Sequence, residues 1–129
     1  MGVGQVLLID DNPSQLSVRG AVLRSAGFTV SGATTADSAM ATLRVLGERI
    51  SLVITDHIMP GRNGADFVRE LRRENDWVPV IVLSGLPDAE PEYDGLNVVF
   101  RQKPVPPQEL IDLVRANVDR NDSDQTGAA

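Results

Sequence analysis

Ser51-Leu-Val-Ile-Thr-Asp-His-Ile-Met-Pro-Gly61 is the stretch that decides how this chain is read. Leu52, Val53 and Ile54 form an unbroken apolar run, the pattern of a strand buried on both faces of a parallel sheet, and Pro60-Gly61 closes a turn just beyond it. Asp56 therefore sits where a buried strand runs out into a loop. In an open α/β sheet ligands collect at that carboxyl end, which makes the acid a candidate for chemistry. An aspartate also opens turns with no further role, so the rest of the chain has to choose between the two readings.

On the N-terminal side, Gln5-Val-Leu-Leu-Ile9 is a second buried run, ending in Asp10-Asp11-Asn12-Pro13. Pro13 suits a first helical position, and Asp11 or Asn12 can cap the helix from about Ser14 to Ala26, which carries Leu16, Gly20 and Leu23 on one stripe. Gly27 stops it. Phe28 to Ser31 reads as a weaker strand, and Thr35 to Leu46 as a helix with Ala36, Ala39, Met40, Leu43 and Leu46 at helical spacing. Beyond Gly61, Gly64 to Glu74 is a helix and Val78 to Leu83 a strand ending at Ser84-Gly85. Leu86 to Leu96 holds two prolines and a glycine, so a helix there is a turn or two long. Val98 to Phe100 is a short strand leading to Lys103-Pro104, and Gln108 to Val118 a last helix. Asn121 to Ala129 reads as a polar, disordered tail. Five strands alternating with helices imply an α/β fold, a parallel sheet covered on both faces.

At 129 residues the chain is one domain. Apolar residues make up 42% and aromatics 4%, so the core must be aliphatic. With no apolar run long enough to span a bilayer and no signal-type N-terminus, a soluble, cytoplasmic protein without membrane insertion is expected. The absence of cysteine excludes disulfides, thiolate metal sites and cysteine nucleophiles. A net charge of −6 argues against direct nucleic-acid binding, and the charges of Arg69 to Glu74 alternate as on a solvated helix face. His57 reads as exposed and pointing away from Asp56, and Trp77 as a partly buried lid on a helix end.

Parallel strands place their carboxyl ends along one edge, so Asp10, Asp11, Asp56, Ser84 and Lys103 converge in one crevice. Carboxylates about 4 Å apart repel by roughly 4 kcal/mol per pair at an effective dielectric near 20. A hard dication such as Mg²⁺ relieves that repulsion and can bind phosphate oxygens as well. Lys103 and the Ser84 hydroxyl could assist a phosphoryl group arriving at Asp56. Taken singly, each feature has a plainer reading: a helix cap for Asp10-Asp11, a surface lysine for Lys103, a turn opening for Ser84.

As an ordered set, Asp10-Asp11, Asp56-x-x-Met59-Pro60-Gly61, Ser84-Gly85 and Lys103-Pro104 resemble the receiver domain of bacterial two-component response regulators, over about residues 4 to 119. The resemblance implies a flavodoxin-like (βα)5 three-layer sandwich of strand order 2-1-3-4-5, with the fourth helix short or irregular in this chain. It assigns a receiver domain to residues 1–120 and leaves the tail at 121–129. A histidine kinase or histidine phosphotransfer protein would donate the phosphoryl group to Asp56, without conventional enzyme turnover. Asp11, Asp56 and the Ile58 carbonyl would ligate Mg²⁺, with Asp10 acting through water. Ser84 and Phe100 would form the switch pair, Ile58, Gly85 and Leu86 the rim of the phosphoryl site, and Lys103-Pro104 a cis peptide.

The sequence departs from the family pattern in four places. Phe100 has no tyrosine hydroxyl, the segment before it is short and proline-broken, Ile58 and Leu86 are apolar, and no DNA-binding or enzymatic output domain is expected to follow. Two other readings stay open: a small Mg²⁺-dependent phosphohydrolase, whose usual second acid would fall at Ile58, and a scaffold that never takes phosphate. So do homodimer formation, the cognate kinase, and whether this is a free regulator or the receiver of a hybrid kinase.

Overall fold

The computed structural model describes residues 5–127, with side chains described as far as Val118. Strands β1 (Gln5–Ile9), β2 (Thr29–Ala33), β3 (Ile50–Asp56), β4 (Val80–Ser84) and β5 (Val99–Gln102) form one parallel sheet of order β2-β1-β3-β4-β5. Helices α1 (Pro13–Ser25), α2 (Ala36–Leu46), α3 (Gly64–Glu74) and α4 (Pro107–Gly127) cover it. The crossover between β4 and β5 holds only a 3-10 segment, Pro87–Tyr93, as its prolines require. The expected sheet order and the short fourth crossover are both present.

Alternation along the strands divides the core in two. Val6, Leu8, Leu52, Ile54, Ile81 and Leu83 pack on one face with Leu23 of α1 and Leu110 and Val114 of α4. Leu7, Ile9, Val53, Val80 and Val82 pack on the other with α2 and α3, through Met40, Phe67 and Leu71. Asp56 follows Leu52 and Ile54 in period and so faces α1 and α4. His57 faces the opposite layer.

Local chemistry explains the helix starts. Asn12 caps α1, its Oδ1 accepting from the N–H groups of Ser14 (2.9 Å) and Gln15 (3.2 Å). Asp10 and Asp11 are thus not the cap. Thr35 caps α2 and Asn63 caps α3 in the same way.

Several expectations need correction. The last helix spans Pro107–Gly127 and does not end at Val118; from Gln108 to Thr126 there is no proline or glycine to stop it. Residues 128–129 lie outside the described residues. Arg72 is not on a solvated face. Its guanidinium donates to the carbonyls of Val78 (2.7 Å), Leu96 (2.9 Å) and Asn97 (2.9 Å), tying α3 to the approaches of β4 and β5. Trp77 is 39% exposed, partly buried as expected. His57 is buried, because the 3-10 segment brings Tyr93 over the face that alternation assigns to it.

Candidate functional site

The site lies at the carboxyl edge of β1 and β3, where the sheet order puts two acid-bearing strand ends side by side. Asp10 leaves β1 with its N–H donating to the Ala33 carbonyl at 3.1 Å. Its Oδ1 accepts the Asn12 N–H at 2.9 Å, which holds the turn into α1. Asp56 is the last residue of β3, and the next peptide is anchored by His57 N–H donating to the Leu83 carbonyl at 3.0 Å. Asp10 and Asp56 are buried and Asp11 is exposed, yet each offers an oxygen and all three oxygens lie within 4.8 Å of one another. The convergence expected from topology is therefore present.

Lys103 arrives from the end of β5. Its N–H donates to the Ser84 carbonyl at 2.7 Å, and its Nζ lies 2.9 Å from Asp56 Oδ1. The Lys103-Pro104 peptide is cis. An open groove of about 810 Å³ joins these groups, lined among others by Asp10, Asp11, Asp56, Ile58 and Lys103, with Val18 and Arg19 from α1 as its opposite wall. Ile58 stands at its mouth, 60% exposed.

Ser84 is close by without touching Asp56. Its hydroxyl donates to the Leu86 carbonyl (3.1 Å) and accepts the Leu86 N–H (2.9 Å), so it is bonded within its own turn. Gly85 and Leu86 are both exposed in that turn. Phe100, half-buried, packs at 5.8 Å between ring centroids on Tyr93, which meets His57 edge-on at 5.6 Å. The Tyr93 hydroxyl and His57 Nδ1 are 2.7 Å apart, and burial, with Glu92 adding, holds the phenol well above its usual range, so it remains a donor. One continuous ring contact thus joins the end of β3 to β5.

Two residues of this neighbourhood escape a reading of the sequence. Tyr93 sits in a segment without periodicity, so nothing in the sequence aims it at His57. Arg19 left a faint signal, a cation on the helical stripe of Leu16 and Leu23 where an apolar residue belongs. Its Nη1 forms an ion pair with Asp10 Oδ2 and lies 3.4 Å from Asp56 Oδ1.

The electrostatics follow from this crowding. Burial pushes the Asp56 carboxyl up to about 6, the neighbouring Asp10 adds to the rise, and Lys103 opposes it. The donor set is entirely carboxylate, with no histidine or cysteine, and suits a hard divalent cation that keeps part of its water. The charge left by three acids, one lysine and one arginine is −1, so the site retains attraction for a cation.

The arrangement is matched in known proteins. The chain is 34% identical over 123 residues to the DNA-binding response regulator MtrA of Mycolicibacterium smegmatis, covering 93% of this chain and 53% of that protein, so it spans about half the length of this relative. The crystal structure of a response regulator receiver protein from Pseudomonas putida superposes with a TM-score of 0.80 at 32% identity, covering 90% of this chain and 98% of the other. The receiver domain of the hybrid histidine kinase CckA superposes at 0.77 and 28%, covering 89% and 99%. The sequence pattern of the response regulator receiver domain matches residues 6–115. With that match running from β1 into α4, the chain belongs to the response regulator receiver family and is a phosphoacceptor domain of two-component signalling.

Proposed function

We propose that Asp56 is the phosphoacceptor and that a histidine kinase or histidine phosphotransfer protein supplies the phosphoryl group. The observation that carries this reading is the ion pair of Lys103 Nζ with Asp56 Oδ1 at the head of an open acidic groove. Arg19 and Lys103 both lie against Oδ1, so Oδ2 is the oxygen that attacks phosphorus as the bond from phosphorus to the donor's imidazole nitrogen breaks. Asp11, Asp56 and the Ile58 carbonyl, with Asp10 through water, would hold Mg²⁺. When bound, that ion neutralises charge on the transferring phosphoryl oxygens.

The chain's own groups do the rest. Lys103 keeps a positive charge at the acceptor while negative charge arrives. Ser84 exchanges its bond to the Leu86 carbonyl for one to a phosphoryl oxygen, and Phe100 follows by repacking against Tyr93. Nothing favours the phosphohydrolase: the place of its second acid is Ile58, which has no proton to give. A net charge of −6 supports signalling by protein contact and not by this domain's own binding to nucleic acid. Among the described residues no helix is long and apolar enough to cross a membrane.

The test is intact-mass spectrometry after incubation with acetyl phosphate and Mg²⁺. One phosphoryl group should be added, and peptide mapping should place it on Asp56. Labelling undiminished by EDTA, or shared with a second residue, would sink the proposal.

Self-dephosphorylation should be slow. Hydrolysis of the acyl phosphate needs a water held in line with the leaving carboxylate, and Ile58 and Leu86 border its approach. Ile58 lines the groove and is 60% exposed, and Leu86 is 48% exposed in the turn after β4, so neither is packed beneath the 3-10 segment. Neither accepts a hydrogen bond from water. The double variant Ile58→Asn, Leu86→Glu should lose phosphate roughly tenfold faster, a small share of what positioning a nucleophile contributes. Equal decay of parent and variant in excess Mg²⁺ would show that the two side chains do not shield the site.

A further inference from the structure

We propose that Arg19 is a built-in counter-cation that competes with the divalent ion for the acid cluster, so that metal enters only as the guanidinium swings out from between Asp10 and Asp56. This rests on the reading of Asp10, Asp11 and Asp56 as the dication site.

Arg19 lies on α1, whose buried stripe would accept an apolar side chain at that position. The guanidinium instead reaches down the helix to the strand ends, and its Nη1 touches Asp10 Oδ2 and lies 3.4 Å from Asp56 Oδ1. The environment is not that of a loose surface pair. The Arg19 side chain is 17% exposed, and the carboxylates it meets are 2% and 5% exposed. Among the described residues these two acids are its only ion-pair partners, and Lys103 Nζ also contacts Asp56 Oδ1, at 2.9 Å.

Both carboxylates belong to the set of three acids that each offer an oxygen within 4.8 Å of the others and could ligate a metal. A guanidinium hydrogen and a dication cannot both take the same lone pairs, and two cations in contact repel. Metal binding therefore costs the Arg19 contacts. Conversely, in the absence of metal Arg19 offsets the repulsion among the acids, which a bare cluster would leave uncompensated in a buried setting. Two cationic ligands of one site that exclude each other are linked in equal measure in both directions. The site becomes tolerant of metal-free conditions and less avid for Mg²⁺.

The experiment compares Mg²⁺ binding by isothermal titration calorimetry and thermal unfolding in EDTA for the parent, Arg19→Leu and Arg19→Lys. Arg19→Leu should bind Mg²⁺ roughly tenfold tighter, at the low end of the couplings found between linked ligands. It should also unfold at lower temperature in EDTA and at parental temperature or above in saturating Mg²⁺. Arg19→Lys keeps the charge but on a shorter reach and a more strongly hydrated head group, so its Mg²⁺ affinity should fall between the two. Unchanged or weaker Mg²⁺ binding by both variants, with the parent binding measurably, overturns the competition while leaving the dication site intact. Absence of Mg²⁺ binding by all three proteins overturns the dication site and the competition with it.

Discussion

Asp56→Asn is expected to take up no phosphate and yet, in metal-free buffer at pH 8, to be more stable than the parent by roughly 1–3 kcal/mol. The loss of uptake follows because an amide is no nucleophile toward the donor's phosphorus. The gain in stability follows from where the carboxyl is kept. Asp56 is 3% exposed, and burial, reinforced by Asp10, pushes its carboxyl from the ordinary 3.8 up to about 6 in spite of Lys103. The folded state therefore holds the proton more tightly than the unfolded chain. Through this group the parent is most stable below about pH 4, loses stability as pH rises from about 4 to about 6, and changes no further above that. Asparagine stands in for the protonated carboxyl and carries no such slope.

The advantage of Asp56→Asn should thus be small at pH 4 and complete at pH 8. Each pKa unit corresponds to about 1.4 kcal/mol, so a rise of about two units sets the upper end of the expected range. Acids elsewhere titrate alike in both proteins and cancel in the difference. Urea unfolding in EDTA at the two pH values checks it, and a parent as stable as Asp56→Asn at pH 8 would show that ionising this buried carboxyl costs nothing.

Gly64→Ala should lower stability by roughly 1–3 kcal/mol, and phosphate uptake with it. Helix propensity predicts the opposite sign, since alanine is favoured over glycine within a helix by about 1 kcal/mol. Space decides the matter here. Gly64 opens α3 with its N–H donating to the His57 carbonyl at 2.6 Å, which draws the helix start onto the end of β3. A Cβ at this position would lie 2.7 Å from the Asp56 carbonyl oxygen and 3.1 Å from His57 Cα, and would meet the Tyr93 hydroxyl. Two of these three neighbours are main chain and cannot swing aside. Either α3 retreats or the Asp56 peptide moves, and the second shifts the Asp56 carboxylate relative to Lys103.

For a chain of this size the melting temperature should fall by about 4 °C per kcal/mol. Adding Tyr93→Phe removes one of the three obstacles and should restore part of the loss, leaving the backbone clash. A Gly64→Ala protein that melts with the parent would mean that α3 does not approach β3 this closely.

That the strands are parallel and bring Asp10, Asp11, Asp56 and Lys103 to one edge was legible in the residue pattern, whereas the strand order 2-1-3-4-5 came only from the resemblance to receiver domains. Apolar runs such as Val53-Ile54 and Val80 to Leu83 identify parallel strands, and parallel strands leave their carboxyl ends on one edge whatever the details of packing. Asn12, one of the two cap candidates before α1, announces that helix start by chemistry that involves only its own neighbours in the chain. The broken crossover after Ser84 follows equally from local proline content.

What only the tertiary structure decided is whatever depends on side chains reaching across elements. His57 obeys strand alternation and points away from Asp56, but that direction leads under Tyr93 and not into solvent, because the layer covering it comes from 36 residues further along the chain. Ser84 keeps its hydroxyl within its own turn, a choice between two nearby acceptors that strand position does not settle. Arg19 extends from α1 to a strand end and a second strand 37 residues away, and so turns a cluster of repelling acids into one already partly neutralised. Periodicity and local propensity act over a few residues, which is why they determine the frame. The charge balance of the site is a sum over groups that only folding brings within ion-pair distance.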